Sequence, residues 1–188
     1  MLVEIKAQTY LQADETTTKV LDSDKKGSTH LGYYWTYHAP LKNTVVFDYQ
    51  KGRSIVAPRE LLQGYTGALQ TDGYNVYKHY YENNQVTHLA CWAHARRKFE
   101  NAKNSNKDLA EYVLTEIQKL YAIEREIKEL SAEEKKTIRL EKSLPIINHL
   151  GQWLHQKRNV VLPKSPIGMA IEYTTNLWIS LQNYLHDG

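Results

Sequence analysis

Leu69-Gln70-Thr71-Asp72-Gly73-Tyr74 reads as a short, mostly apolar strand that ends on a carboxylate and turns at a glycine. The same pattern occurs earlier, where Tyr10-Leu11-Gln12-Ala13 runs into Asp14. In open α/β sheets, sites are built at the C-terminal ends of strands. If these two strands pair in parallel, Asp14 and Asp72 meet despite the length of chain between them. Two carboxylates that close repel each other unless a cation sits between them, and hard divalent cations such as Mg²⁺ accept oxygen ligands of this kind. A pair of such metals, ~3.5–4 Å apart, can activate a water and steady a leaving oxygen in phosphoryl transfer. The same residues also suit plain turn chemistry, since Asp-Gly is a common turn pair.

Two more strand-like runs lie between these acids. Leu31 to Tyr37 is dense in aromatic and β-branched residues, and Thr44 to Tyr49 follows after Pro40 and Asn43. With Tyr10–Ala13 they predict an antiparallel meander, joined first by the polar loop from Asp22 to Gly27. Arg53 to Tyr65 carries helical spacing through Ile55, Leu61, Leu62 and Tyr65, with Pro58 near its start. Gly67 to Thr71 is the fourth strand, a short helix spans about Tyr74 to Tyr81, and Val86 to Cys91 is the fifth strand. The predicted order is β-β-β-α-β-α-β, an α/β fold.

Beyond the fifth strand the chain changes character. Ten of the 14 tyrosines precede residue 82, and no glycine lies between Tyr74 and Leu150. Because glycine and proline punctuate turns, this middle stretch reads as helical. Leu109, Val113, Ile117, Leu120, Ile123, Ile127 and Leu130 recur at intervals of three and four, an apolar stripe with charges on the other face. The stripe covers only about three heptads, so packing within the domain is its expected use rather than a dimeric coiled coil. Ser131-Ala-Glu-Glu134 matches a capping box and starts a second helix. Pro145 is expected to interrupt that helix, with Ser143 capping a third segment to about Gln156. Ser165-Pro166 has the form of an N-cap followed by a first-turn proline. Ile171, Thr174, Trp178, Leu181 and Leu185 then continue one helix to the C-terminus.

Composition bounds the possibilities. The chain has 188 residues and 21.9 kDa, with 41% hydrophobic and 24% charged residues, which suits a folded domain, or one with an insertion, rather than a disordered chain. A single cysteine, Cys91, excludes a disulfide framework and a four-cysteine zinc site, and suits a reducing cytoplasm. No apolar run approaches the ~18 residues of a membrane span, and Met1 to Lys6 does not read as a signal peptide. A formal charge of +3 is a weak lean toward anionic partners.

Three further features can carry chemistry. Cys91-Trp-Ala-His94 puts a thiol and an imidazole three positions apart, too few ligands for zinc and with no assured contact for a nucleophile pair. Arg96-Arg97-Lys98 follows at the start of a predicted helix, where cations oppose the helix dipole. That misfit points to phosphate binding, with solvated surface as the alternative. Tyr33-Tyr34-Trp35-Thr36-Tyr37 can stack bases, although at alternating strand positions such residues more often pack a sheet face.

Taken together, Ala13-Asp-Glu-Thr16, the Gly32-Tyr-Tyr-Trp35 strand, Leu69 to Tyr74, Cys91-Trp-Ala-His-Ala-Arg-Arg-Lys-Phe99, Leu120-Tyr-Ala-Ile-Glu124, Ala170-Ile-Glu-Tyr173 and Tyr184-Leu-His-Asp-Gly188 occur in a familiar order. Across nearly the whole chain this resembles the catalytic region of bacterial insertion sequence 66 family transposases, DDE enzymes with an RNase H-like fold. The resemblance implies an α/β fold: an RNase H-like mixed five-stranded sheet with flanking helices, and an all-α insertion after the fifth strand. It implies a core over residues 1–103, an insertion over 104–162, and a C-terminal helix over 163–188 that leads toward the third acid. Asp14 and Asp72 match the first two catalytic, metal-binding acids, with Mg²⁺ or Mn²⁺ as cofactor. Cys91 and His94 match a supporting Cys-x-x-His element, and Arg96, Arg97 and Lys98 would contact DNA. Partners would be transposon ends and target DNA, with a homo-oligomer in the full transposase, in the bacterial cytoplasm and not at a membrane.

In that family the third acid, a glutamate, follows shortly after the Tyr-Leu-x-Asp-Gly segment, so the chain reads as a core fragment, inactive alone. Glu172, on an amphipathic helix, is a poor substitute for that glutamate, and only cleavage by residues 1–188 alone would call for testing Glu172 and Asp187 in its place. The competing readings are a non-catalytic DNA-binding or oligomerisation module, and an RNase H-like nuclease unrelated to transposition.

Overall fold

The β-branched run Thr16-Thr17-Thr18, followed by Val20, carries the first strand well past Asp14. The computed structural model describes residues 2–22, 27–82 and 86–186, and in it strand β1 covers Tyr10–Leu21. The sequence places Asp14 at a strand end. It sits within β1 instead, because the threonines go on pairing with the next strand, Thr16 opposite Tyr34 and Leu21 opposite Thr29. Strand β2 spans Thr29–Ala39 and β3 spans Thr44–Gln50, and the three form the expected antiparallel meander. Of the predicted loop between β1 and β2, residues 23–26 lie outside the described residues. Asn43 closes the β2–β3 connection at φ 48, a left-handed conformation that asparagine tolerates better than most residues.

A short helix that the sequence pattern does not announce, α1 (Leu2–Lys6), precedes β1. Helix α2 (Val56–Leu62) carries Pro58 in its first turn, where a missing N–H costs nothing. Strand β4 (Ala68–Thr71), a 3₁₀ turn at Asn75–Tyr77, helix α3 (Lys78–Glu82) and strand β5 (Thr87–Ala90) complete the mixed five-stranded sheet, in the order β3-β2-β1-β4-β5. Strand β1 is the hinge of this topology, antiparallel to β2 and parallel to β4.

The chain divides into two compact units, Met1–Leu89 and Ala90–Gly188. In the first, alternation along the strands sends Leu11, Ala13, Trp35, Tyr37, Ala39, Val46 and Leu69 to one face. There they pack with Ile5, Ala57, Leu61, Leu62, Tyr65 and Tyr77. Trp35 and Tyr77 meet edge to face at 6.1 Å. The aromatic run of β2 is therefore chiefly sheet packing, with Trp35 and Tyr37 fully buried and Tyr34 outward.

The second unit is helical. Helix α4 (Trp92–Ala102) leads to α5 (Lys107–Glu126), whose N-cap Asn106 accepts the Leu109 N–H at 3.1 Å. No strand occurs among the described residues of the Leu109–Leu130 stripe. Val113, Ile117, Leu120, Ile123 and Ile127 are buried, the first three of them in one core with Phe99, Ile147, Leu150, Leu154 and Ile171, so the stripe is spent within the unit. The capping box at Ser131 and Glu134 is present and starts α6 (Ala132–Ile138).

Ser143 caps nothing. Instead α6 runs through a π-turn, Arg139–Ser143, directly into α7 (Leu144–Arg158). Pro145 lacks the N–H that would bond the Glu141 carbonyl and its ring crowds that carbonyl, and a wider turn relieves both. Helix α8 (Pro166–Asn176) starts as expected, with Ser165 Oγ accepting the Gly168 N–H at 3.1 Å. The predicted single C-terminal helix is broken at Leu177 before α9 (Trp178–Gln182). The offset sets Trp178 against Gly151, where an added Cβ would lie 2.7 Å from the indole, and edge-on to Trp92 at 6.0 Å. Trp92 Nε1 in turn donates to the Leu181 carbonyl at 3.0 Å. Asp187 and Gly188 lie outside the described residues.

Candidate active site

The parallel register relates the two strands that lead to the acids. Leu11 lies opposite Leu69 and Gln12 opposite Gln70, and Asp14 and Asp72 each follow two residues further along their chains. Asp72 lies one residue past the end of β4, while period-two alternation along β1 puts Asp14 on the face away from buried Leu11 and Leu69. That face carries a polar ladder below Asp14. Gln12 Nε2 donates to Gln70 Oε1 at 2.9 Å and to the Tyr10 hydroxyl at 2.8 Å, Tyr10 donates to Gln70 Oε1 at 2.9 Å, and His38 Nδ1 lies 2.9 Å from Gln12 Oε1. Both amide atoms of Gln12 and the amide oxygen of Gln70 are thereby oriented, and β1 and β4 are tied by side chains as well as backbone.

The turn after β4 fixes Asp72. Gly73 adopts φ +84, a conformation glycine takes at no cost. Its N–H donates to Thr71 Oγ1 at 3.1 Å, and the Tyr74 N–H donates to Asp72 Oδ1 at 2.8 Å. Asp14 Oδ1 likewise accepts the N–H of the next residue, Glu15, at 2.9 Å. The Asp-Gly pair is thus a turn in addition to presenting an acid, and the two readings of it coexist.

Sequence alone assigns Glu15 no role. One position beyond Asp14, it points to the opposite, core-side face, with its side chain only 3% exposed. Arg53, in the β3–α2 connection, donates to Glu15 Oε1 through Nε at 2.7 Å and through Nη2, while Glu15 Oε2 is buried without a hydrogen-bond partner. Burial raises the Glu15 pKa above the usual carboxylate range. The hydrogen bond from Arg53 opposes that rise, and the charges of Asp72 and Asp14 add to it. Glu15 therefore feels both aspartates. The Arg53 guanidinium also stacks 3.8 Å over the Tyr74 ring, whose hydroxyl donates to the Arg53 carbonyl at 3.0 Å. Neither residue carries a sequence signal beyond its type, since the pairing is made by the fold.

On the far side of Thr71, the hydroxyl lies 2.9 Å from Tyr81 OH and 3.1 Å from His88 Nε2. The Tyr81 and His88 rings stack at 3.8 Å, 7° apart. Burial pushes the His88 pKa down to about 4, against an upward pull from Asp72, so the imidazole is neutral at pH 7.

In the helical unit, Cys91 is the N-cap residue of α4 and is a free thiol, and His94 donates its N–H to the Cys91 carbonyl at 3.1 Å. Burial raises the Tyr121 pKa, with Cys91 adding to the rise and Arg96 opposing it, which places all three within electrostatic reach. Arg96 pairs with Glu100 at 3.6 Å, Lys98 lies 5.1 Å over the Tyr173 ring, and Arg97 is exposed. Glu172 pairs with Arg158 at 3.7 Å on an exposed surface. Asp187 lies outside the described residues.

Among the described residues, no group of three or more His, Cys, Asp or Glu side chains is arranged to hold a metal ion. Asp14 and Asp72 are a pair of hard oxygen donors, and Mg²⁺ is commonly bound through one or two carboxylates while keeping several waters. The donor set fits such an ion. No helix among the described residues is long and apolar enough to cross a membrane.

The chain is 31% identical over 202 residues to an uncharacterised protein, y4jD, of Sinorhizobium fredii, covering 100% of this chain and 39% of that protein. A second uncharacterised Sinorhizobium fredii protein, y4hP, is 31% identical over 95% of the chain and 36% of its own length, and a third, y4qI, is 29% identical over 100% and 38%. The chain thus spans well under half the length of these relatives. No solved structure matches. A family model described as Transposase IS66 family matches residues 1–188, the whole span that carries the strand-borne aspartates and the helical unit, and the chain therefore belongs to the IS66 family of transposases.

Proposed function

We propose that this chain is part of the catalytic core of a DDE-type transposase with an RNase H-like fold, in which Asp14 and Asp72 hold Mg²⁺ or Mn²⁺ for DNA cleavage and strand transfer at transposon ends. The observation that supports this reading is the parallel β1–β4 register, with Leu11 opposite Leu69 and Gln12 opposite Gln70, two residues before the aspartates. When bound, the ion would stabilise developing charge on a phosphodiester under in-line attack by water and then by a 3′-hydroxyl. Asp14 and Asp72 supply the oxygen donors, and the Glu15 and Tyr74 N–H groups hold one oxygen of each carboxylate in place.

Residues 1–103 would form the core, 104–162 an insertion and 163–188 the C-terminal segment that, by the family resemblance, leads toward a third acid. Arg96, Arg97 and Lys98 would contact the DNA backbone, with Cys91 and His94 supporting the α4 N-terminus beside it. The full transposase would act on DNA in the bacterial cytoplasm, as a homo-oligomer.

Calorimetric titration with Mn²⁺ tests the centre of this reading. The wild-type chain should bind Mn²⁺ weakly, since two carboxylates supply little charge to replace the ion's water. Asp14→Asn and Asp72→Asn should each abolish binding. Equal binding by wild type and Asp72→Asn would remove Asp72 from the site.

A further inference from the structure

Both aspartates give one oxygen to the backbone N–H of a residue just beyond them in the chain, Glu15 in one case and Tyr74 in the other, at 2.9 and 2.8 Å. Those two residues are also the two that grip Arg53. We propose that Arg53 is a positioning residue for the acid pair, closing a chain of contacts that runs Asp14–Glu15–Arg53–Tyr74–Asp72 and so fixing the spacing of the two carboxylates. This deepens the metal-site reading and rests on it.

The geometry is specific to arginine. Its guanidinium does two things at once: its edge donates to Glu15 Oε1 through Nε and Nη2, and its face lies 3.8 Å from the Tyr74 ring centroid. A planar fork can bond along its edge and stack on its face together, whereas a lysine ammonium is a point charge that can do only one of these well. Tyr74 answers with its hydroxyl on the Arg53 carbonyl at 3.0 Å, so backbone and side chain of the arginine are both held. Arg53 lies in the β3–α2 connection, outside both acid-bearing strands, and its own placement is not set by the β1–β4 ladder.

Glu15 is the other end of the clamp. Its side chain is 3% exposed and Oε2 is buried without a hydrogen-bond partner, so the arginine is the charge that makes an otherwise costly burial tenable. That cost locks Glu15, and through its N–H the Asp14 carboxylate, against the sheet. Outer-shell partners of this kind typically change metal affinity by ~10–100-fold when altered.

A contrary effect makes the inference decidable. If Arg53 acted only as a nearby positive charge, it would repel a divalent cation, and its removal would tighten metal binding. The test is Mn²⁺ titration of wild type, Arg53→Lys, Arg53→Ala and Asp14→Asn, together with hydrogen exchange at the Glu15 and Tyr74 amides. Arg53→Lys keeps the charge and loses the fork and the stack. It should fold, with a near-wild-type far-ultraviolet spectrum, and bind Mn²⁺ roughly 10-fold more weakly or worse. Exchange at Glu15 and Tyr74 should rise while the other amides of the β1–β2 ladder stay protected. Wild-type affinity in Arg53→Lys, or tighter binding in Arg53→Ala, would overturn the proposal. Should wild type and Asp14→Asn bind Mn²⁺ alike, the metal reading fails, and the clamp then stands or falls on the two amides: unchanged exchange in Arg53→Lys would refute it.

Discussion

Lowering the pH below neutrality should weaken the sheet unit through one side chain, His88. Its ring is stacked on Tyr81 and set 3.1 Å from Thr71 Oγ1, and burial holds its pKa at about 4 against an ordinary value of 6.5. Between those two values the unfolded chain binds a proton that the folded chain refuses. Stability therefore rises with pH through this window, is fully present above pH 6.5, and is lost as pH falls toward 4. At about 1.36 kcal/mol per pH unit, the gap corresponds to roughly 3 kcal/mol by pH 4.

Carboxylates titrate in the same range, so the comparison is with His88→Gln, which keeps a polar head group near Thr71 and cannot be protonated. The opening free energy of the β1–β2 ladder amides, from hydrogen exchange corrected for intrinsic rates, reads the sheet unit alone. Wild type should lose about 3 kcal/mol more than His88→Gln between pH 7 and pH 4, and the His88 ring should titrate by NMR near pH 4. A ring midpoint at or above 6, or parallel stability curves for the two proteins, would refute the placement of His88 behind Thr71.

Two further outcomes follow from the helical unit. Replacing Arg96, Arg97 and Lys98 together by alanine should weaken duplex DNA binding and flatten the dependence of log affinity on log salt, by roughly 0.9 for each phosphate no longer neutralised. An unchanged slope with unchanged affinity would leave the three as surface. Gly168→Ala should lower thermal stability, by about 1–3 kcal/mol, because the new Cβ would collide with the Leu162 carbonyl and meet the Pro163 oxygen at 3.0 Å. A rise in Tm, the usual result of Gly→Ala in a helix, would show that the loop before α8 gives way.

What the sequence disclosed and what it hid have separate physical causes. Period-two and period-three-to-four patterns are local, so the five strands, the Leu109–Leu130 stripe and the Ser131 and Ser165 caps were all legible. The parallel pairing of the strands that lead to Asp14 and Asp72 was legible only as a condition, since it is a property of topology rather than of either strand. The length of β1 was underestimated because Thr16, Thr17 and Thr18 look like a polar loop when taken singly, yet each pairs across to β2. Glu15 stood in full view beside Asp14, but its partner Arg53 comes from the β3–α2 connection, and no spacing rule links the two. At Pro145 the sequence announced a break with a new cap at Ser143, and the chain takes a widened turn instead, because a wider turn accommodates the missing N–H without ending the helix.

That widened turn has a consequence for how this protein tolerates changes in length. Each residue of an α-helix advances the chain by about 100° around the axis, so removing one residue from the middle of α7 would swing Ile147, Leu150 or Leu154 out of phase with what precedes them. The π-turn at Arg139–Ser143 is different, because it already holds a residue more than a regular helix needs there. Deleting an exposed member such as Glu141 would let the turn tighten to ordinary α geometry while the flanking faces keep their bearings. Arg139, at the start of the turn, bonds Glu124 at 2.6 and 2.9 Å and the Tyr184 carbonyl at 3.2 Å, an anchor that holds the upstream side while the turn contracts. The segment from Ser131 to Arg158 thus behaves as one rod with a slip joint, the place along it where a one-residue deletion can be absorbed without repacking the core.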